Sequence, residues 1–157
     1  MIRGRMTRSL IIALGADHGG VSLKNRLAKA IIEAGHEVRD FGTHDQASVD
    51  YPDYAHAVCG VVAGAEADLG ILVCGTGIGM SIAANRHPKI RCALVHDVTT
   101  ARLTRQHNDA NIIALGARIV GEEVALDIVR AFLTTEFEGG RHERRLAKLN
   151  PAPSETV

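Results

Sequence analysis

The chain has no tryptophan, two tyrosines and three phenylalanines, too few aromatic side chains for a base-stacking platform. It has no surplus of charge, because 18 Lys and Arg balance 18 Asp and Glu. That argues against general binding to nucleic acid or to a membrane surface, each of which needs a basic excess. No apolar run reaches membrane-spanning length, and no signal-peptide core follows the basic N-terminus. Cysteines number three, Cys59, Cys74 and Cys92, without C-x-x-C spacing. A disulfide framework or a cysteine zinc site is therefore not expected, and a reducing cytoplasm is. Eight histidines are present, but none is paired at H-x-x-x-H spacing, so no metal site is expected.

What is present is ordinary for one globular domain of 157 residues. Met1 to Arg8 is a basic leader without pattern. Five short apolar runs follow: Ser9–Leu14, His36–Phe41, Ala67–Val73, Arg91–Val95 and Asn111–Leu115. Helix-compatible stretches lie between them: Val21–Ala34, Tyr54–Ala65, Met80–Asn85, Asp97 to about His107, Gly121–Leu133 and the basic Arg141–Leu149. Alternation of this kind predicts a three-layer α/β/α sandwich around a five-stranded, mostly parallel, Rossmann-like sheet. The polar alternation of the second run predicts a place near a sheet edge. Residues 150–157 read as a disordered tail.

The organising stretch is Ile71 to Arg86, ILVCGTGIGMSIAANR. A buried strand ends at Cys74, a loop with three glycines follows, and a helix starts. Glycines let backbone N–H groups approach a ligand, and open α/β sheets hold ligands at such strand ends. A thiol beside a helix N-terminus lies in a field that favours its reactive thiolate. The loop also fits G-x-G-x-x-G loosely. That fingerprint belongs on the first strand with an acidic residue closing the second, and here it lies mid-chain. A dinucleotide cofactor is therefore not expected.

Three further groups carry chemistry-bearing side chains. Asp17 and His18 follow the first strand, where the blander reading is an Asp helix cap beside an exposed His. Arg105 to Asp109 (RQHND) ends a helix with an imidazole, the usual proton shuttle near neutrality. Its blander reading is a helix C-cap. Arg141 and Arg145 stand one turn apart on one face, which suits a phosphate and equally suits a solvated charged face. Arg118 follows the fifth strand. The loops carrying Asp17 and His18, Cys74, and Arg118 all follow strands and should share one rim of the sheet.

ADHGG, DYPDYA, ILVCGTGIGMSIAANR, RQHNDANIIALGAR and EGGRHERR resemble, in order, the signature segments of the type B ribose-5-phosphate isomerases, a family that also holds galactose-6-phosphate and allose-6-phosphate isomerases. The resemblance runs from about Leu10 to Leu149. It implies a cofactor-free aldose–ketose isomerase of the pentose phosphate pathway, with a phosphosugar substrate. It also implies a homodimer or tetramer with active sites at the subunit interface. By matching positions it implies that Cys74 is the base and Thr76 assists proton transfer between substrate oxygens. Some members use a glutamate base at the position held here by Met80. Gly75, Gly77, Ile78 and Gly79 belong to the loop that holds the enediolate, with Ser81 just beyond it. His107 is implied as the acid that opens the furanose ring, beside Asn108. Asp17 and His18 are implied to contact sugar and phosphate, Asp17 also with a catalytic part. Tyr51 is implied to line the pocket, and Arg118, Arg141 and Arg145 to bind the phosphate.

Overall fold

The computed structural model describes residues 8–151. Strands β1 (Ile11–Ala16), β2 (Glu37–Asp40), β3 (Leu69–Cys74), β4 (Cys92–Leu94) and β5 (Ile112–Gly116) form one sheet of order β2-β1-β3-β5-β4. All four pairings are parallel. The connecting helices are α1 (Val21–Glu33), α2 (Tyr51–Ala63), α3 (Ile78–Ala84), α4 (Val98–Asn108), α5 (Glu122–Thr134) and α6 (Arg141–Leu146). Among the described residues, no helix is long and apolar enough to cross a membrane.

Successive residues of a strand point to opposite faces, and the core divides accordingly. Ile12, Leu14, Ile71, Val73, Ile113 and Leu115 pack with α1 and α5. Ala13, Leu72, Cys74, Ile112 and Ala114 pack with α2 and α3. Both faces of β1, β3 and β5 are thus covered, which is why these strands read as continuous apolar runs. The half-polar β2 is an edge strand, as its alternation predicts. The opposite edge, β4, is only half-buried, and its Leu94 is exposed.

The elements differ from expectation at their ends. β1 runs two residues further, to Ala16, because Gly15 and Ala16 pair with Leu72 and Val73. α2 begins at Tyr51 rather than Tyr54, since Pro52 is tolerated in a first helical turn, where its missing N–H is no loss. At the ends of the described chain Arg8 pairs with Asp68, and Asn150 Nδ2 donates to the Pro88 carbonyl at 2.8 Å. Residues 1–7 and 152–157 lie outside the described residues.

One buried feature organises the rim. The Lys24 side chain on α1 is fully buried, and its ammonium donates to both oxygens of Asp40 at 2.7 Å. Asp40 Oδ1 also accepts the Gly42 N–H at 2.9 Å, and the Gly42 carbonyl in turn accepts the Ala16 N–H. The end of β2 is thereby fastened to the end of β1, directly before Asp17.

Candidate active site

The chain leaves β1 for β2 on one side and later returns to β3 on the other, so the sheet order reverses between β1 and β3. Ligands of open α/β sheets occupy the crevice at the carboxyl ends of the strands at such a reversal. The loops after three strands meet there. The Asp17 N–H donates to the Val73 carbonyl at 3.2 Å, Ala117 N–H to Cys74 at 2.8 Å, and Arg118 N–H to Gly75 at 3.0 Å.

Cys74 is buried, and the Gly77 N–H donates to its Sγ at 3.1 Å, which fixes the direction the sulfur faces. Gly77 has φ of 77°, and a Cβ there would stand 2.7 Å from Leu94 Cδ1 and 2.9 Å from the Leu115 carbonyl carbon. Only glycine fits both demands. Gly79 is required for a different reason. The Tyr51 ring lies against it, so a Cβ would come within 2.6 Å of Tyr51 Cζ. Tyr51 is therefore a wall of the glycine loop. A Cβ at Gly75 would lie 3.6 Å from Arg118 Nη1, so that guanidinium stands over the loop.

The remaining rim residues take defined places. Asp17 Oδ1 accepts the Gly19 N–H at 2.9 Å, and the cap position of α1 is Gly20, so Asp17 shapes its own turn instead of capping the helix. His18 Nδ1 accepts the Val49 N–H at 3.3 Å and ties the segment before α2 to this turn. Thr76 Oγ1 accepts the Ile78 N–H at 3.3 Å. The Ser81 hydroxyl donates to the Ile78 carbonyl at 2.7 Å within α3. Met80 is fully buried, in the core cluster that joins α2 and α3 to Cys74. His96, which the sequence reading passes over, meets the Thr76 carbonyl through Nε2 at 3.2 Å. It follows β4, so the strand-end rule that singles out Asp17, Cys74 and Arg118 would have found it.

His107 and Asn108 are not on this rim. They end α4, a crossover helix running back against the sheet direction. β5 then returns to the rim, where Gly116 pairs with Cys74. Its five residues put about 13 Å of strand rise between the two ends. His107 therefore stands at the opposite end of the sheet from Cys74 of the same chain. Arg105 and Asp109, beside it in sequence, have structural work: Arg105 Nη1 donates to Asp109 Oδ1 and to the Ala110 carbonyl, and Asp109 caps α4 in a left-handed conformation. The end of the chain joins His107 there. The Glu138 N–H donates to the Gln106 carbonyl at 3.1 Å, and the His142 ring stacks on His107 with centroids 4.5 Å apart. Burial, then the charges of His107 and Arg141, push His142 below the ordinary imidazole range, against the pull of Glu138. Arg141 and Arg145 are exposed on α6 beside this pair, and neither has an ion-pair partner among the described residues.

The structure thus divides the expected site residues into two groups. Asp17, His18, Tyr51, Cys74, Gly75, Thr76, Gly77, Ile78, Gly79, Ser81 and Arg118 lie at or beside the carboxyl-end crevice. His107, Asn108, Arg141 and Arg145 lie at the other end. The first group offers a sulfur beside backbone donors and a cation. The second offers an imidazole beside two cations.

Residues 12–149 match the ribose/galactose isomerase family. Ribose-5-phosphate isomerase B of Escherichia coli (strain K12) is 49% identical over 135 residues, covering 86% of this chain and 91% of that one. The structure of Clostridium thermocellum ribose-5-phosphate isomerase B superposes with a TM-score of 0.88 at 52% identity, over 88% of this chain and 94% of that one. Type B ribose 5-phosphate isomerase of Trypanosoma brucei superposes with a TM-score of 0.87 at 49% identity, over 89% and 96%. Likeness of that extent, on a sheet whose strand ends present a thiol, a glycine loop and an arginine, makes this chain a member of the ribose/galactose isomerase family.

Proposed function

We propose that the protein interconverts D-ribose 5-phosphate and D-ribulose 5-phosphate through a cis-enediolate, in a site built from two copies of the chain. The observation that carries this reading is the placement of Cys74 at the sheet reversal, with its sulfur bonded by Gly77 N–H and Arg118 over the same loop. In the first step the Cys74 thiolate takes the proton from C2 of the open-chain aldose. The electron pair forms the C1–C2 double bond, and the carbonyl oxygen becomes an oxyanion. The N–H groups of the loop from Gly75 to Gly79 are set before that charge develops, and preorganised donors of this kind are often the largest contribution to such a rate. The Thr76 hydroxyl passes a proton between the two substrate oxygens, and the Cys74 thiol returns its proton to C1. These steps run on a thiol, a hydroxyl and backbone amides, and call for no metal or nicotinamide.

The substrate enters largely as a closed furanose. His107 gives a proton to the ring oxygen as the ring C–O bond breaks, and Asp17 accepts the proton of the anomeric hydroxyl. His107 and Cys74 of one chain are separated by the height of the sheet, so His107 meets the Cys74 of a second copy. The surface supports such pairing. Ile78, Ile82, Leu94 and Val98 are 49%, 52%, 39% and 41% exposed on α3, the open edge strand β4 and the start of α4. An apolar edge of this kind asks for cover. Arg118 from one copy, with Arg141 and Arg145 from the other, supply the phosphate contacts, since guanidinium forks bind two phosphate oxygens at once.

A coupled assay with ribose 5-phosphate, galactose 6-phosphate and allose 6-phosphate tests the reading. Ribose 5-phosphate should give the highest kcat/KM, and Cys74→Ala should lower it by orders of magnitude. Preference for a six-carbon substrate would move the protein elsewhere in its family. Binding of all three without turnover would make it a phosphosugar-binding module.

A further inference from the structure

At the end of α4, His107 meets two side chains, Glu138 and His142, to which the reaction above gives no part. His107, Glu138 and His142 each offer one ligand atom, and these atoms lie within 4.8 Å of one another. His142 Nε2 is already 3.6 Å from Glu138 Oε2. Glu138 and His142 stand at i and i+4, but His107 is remote from them in sequence, so no spacing rule reveals the three together. The fold joins them by fastening Glu138 to Gln106 and stacking one imidazole on the other.

Two nitrogens and one carboxylate oxygen are a donor set for zinc-class ions, and imidazole is a poor ligand for calcium or magnesium. Ligand atoms about 2.1 Å from a tetrahedral ion stand roughly 3.4 Å apart. One pair is near that separation now. The others close by about an ångström when the half-exposed Glu138 swings in and the His107 ring turns. His142 is buried and fixes one corner, while the exposed side leaves a fourth position for water. Arg141 and Arg145 stand nearby on α6 and oppose a cation, so the site is a weak, reversible one rather than a structural centre.

We propose that His107, Glu138 and His142 form a site for a divalent ion of the zinc class, and that its occupancy withdraws His107 from ring opening and so inhibits the enzyme. The inhibitory half rests on the ring-opening part given to His107 above; the binding half stands on geometry alone.

The test separates the two halves. Binding is read in the full chain carrying Cys74→Ser, which removes the competing thiol, by visible absorption during titration with Co2+ and displacement by Zn2+. One ion per chain is expected, with affinity falling ~tenfold or more in both Glu138→Gln and His142→Ala. The exposed pair His56 and His87, with ring nitrogens 2.8 Å apart, is the other candidate, so His87→Ala should leave that affinity unchanged. Binding indifferent to Glu138→Gln and His142→Ala, or lost in His87→Ala, overturns the site. Inhibition is then read with Cys74 intact. Zn2+ should slow ribose 5-phosphate turnover reversibly, and Glu138→Gln should raise the half-inhibiting concentration by the factor by which it weakens binding. Inhibition unmoved by Glu138→Gln means the ion acts elsewhere and overturns the inhibitory half. An ion bound at this site without inhibition leaves the site standing and refutes the part given to His107.

Discussion

Lys24 and Asp40 pair an ammonium that is wholly out of solvent with a carboxylate whose side chain is 29% exposed. That difference predicts an asymmetry between the two ways of breaking the pair. Asp40→Ala strands the buried ammonium without its two 2.7 Å bonds. Stranding a buried charge costs about 3–5 kcal/mol. At roughly 2–4 °C per kcal/mol for a chain of this size, the melting temperature should fall by roughly 6–20 °C. Lys24→Met leaves a carboxylate that water can reach and that keeps the Gly42 N–H, so its cost is only about 1–3 kcal/mol. The double variant Lys24→Met with Asp40→Ala should cost less than the sum of the two, because no charge is then stranded. Urea unfolding at one fixed protein concentration measures all three, since any dimerisation adds to apparent stability. An Asp40→Ala change within about 0.5 kcal/mol of wild type, or one milder than Lys24→Met, would refute the reasoning.

Three more expectations follow from the site and its surroundings. Burial pushes the Cys59 thiol up to about 12, and burial together with Cys59 pushes Cys92 higher still, so iodoacetamide near pH 8 should label Cys74 first and inactivate the enzyme, with substrate protecting; mass spectrometry showing Cys59 or Cys92 labelled first would contradict this. Arg141→Ala should weaken use of the phosphorylated sugar by ~2 kcal/mol for a lost charge-assisted contact, while any turnover of unphosphorylated ribose stays unchanged; equal losses on both sugars would mean that Arg141 supports structure instead. The Thr100 N–H and hydroxyl bonded to the α4 cap Asp97 hold its carboxyl below the ordinary range. Its native pKa lies under its unfolded one, so its stabilisation is present above about pH 4 and is lost as pH falls through the native value. The destabilisation caused by Asp97→Ala should therefore shrink in acid, and an effect equal at pH 7 and pH 3 would argue otherwise.

Much of the fold was legible because the central strands bury both faces and announce it. Asp97 as the α4 cap and Gly35 after α1 were legible from local rules. The ends of β1 and α2 were not, since pairing with β3 sets the first and a tolerated proline the second. Lys24 was illegible: it lies between Leu23 and Leu27 on the helix, and its partner comes from another element. The strand-end rule brought Asp17, Cys74 and Arg118 to one rim, and applied to β4 it would have added His96. His107 escaped that rule because it ends a helix instead of a strand, which puts it at the other end of the sheet. Glu138 and His142 reach it only through the tertiary path of the chain end.

The central claim is that each active site takes Cys74 from one chain and His107 from another. Two variants, Cys74→Ala and His107→Ala, each nearly inactive alone, test it most directly when mixed under conditions where tagged chains are shown to exchange. A two-fold dimer of one variant with the other holds one site with both lesions and one with neither. Random re-pairing makes about half the dimers mixed, so activity should return to about a quarter of wild type. Exchange without any return of activity would mean that each site is built within a single chain, and the two-copy account would be wrong.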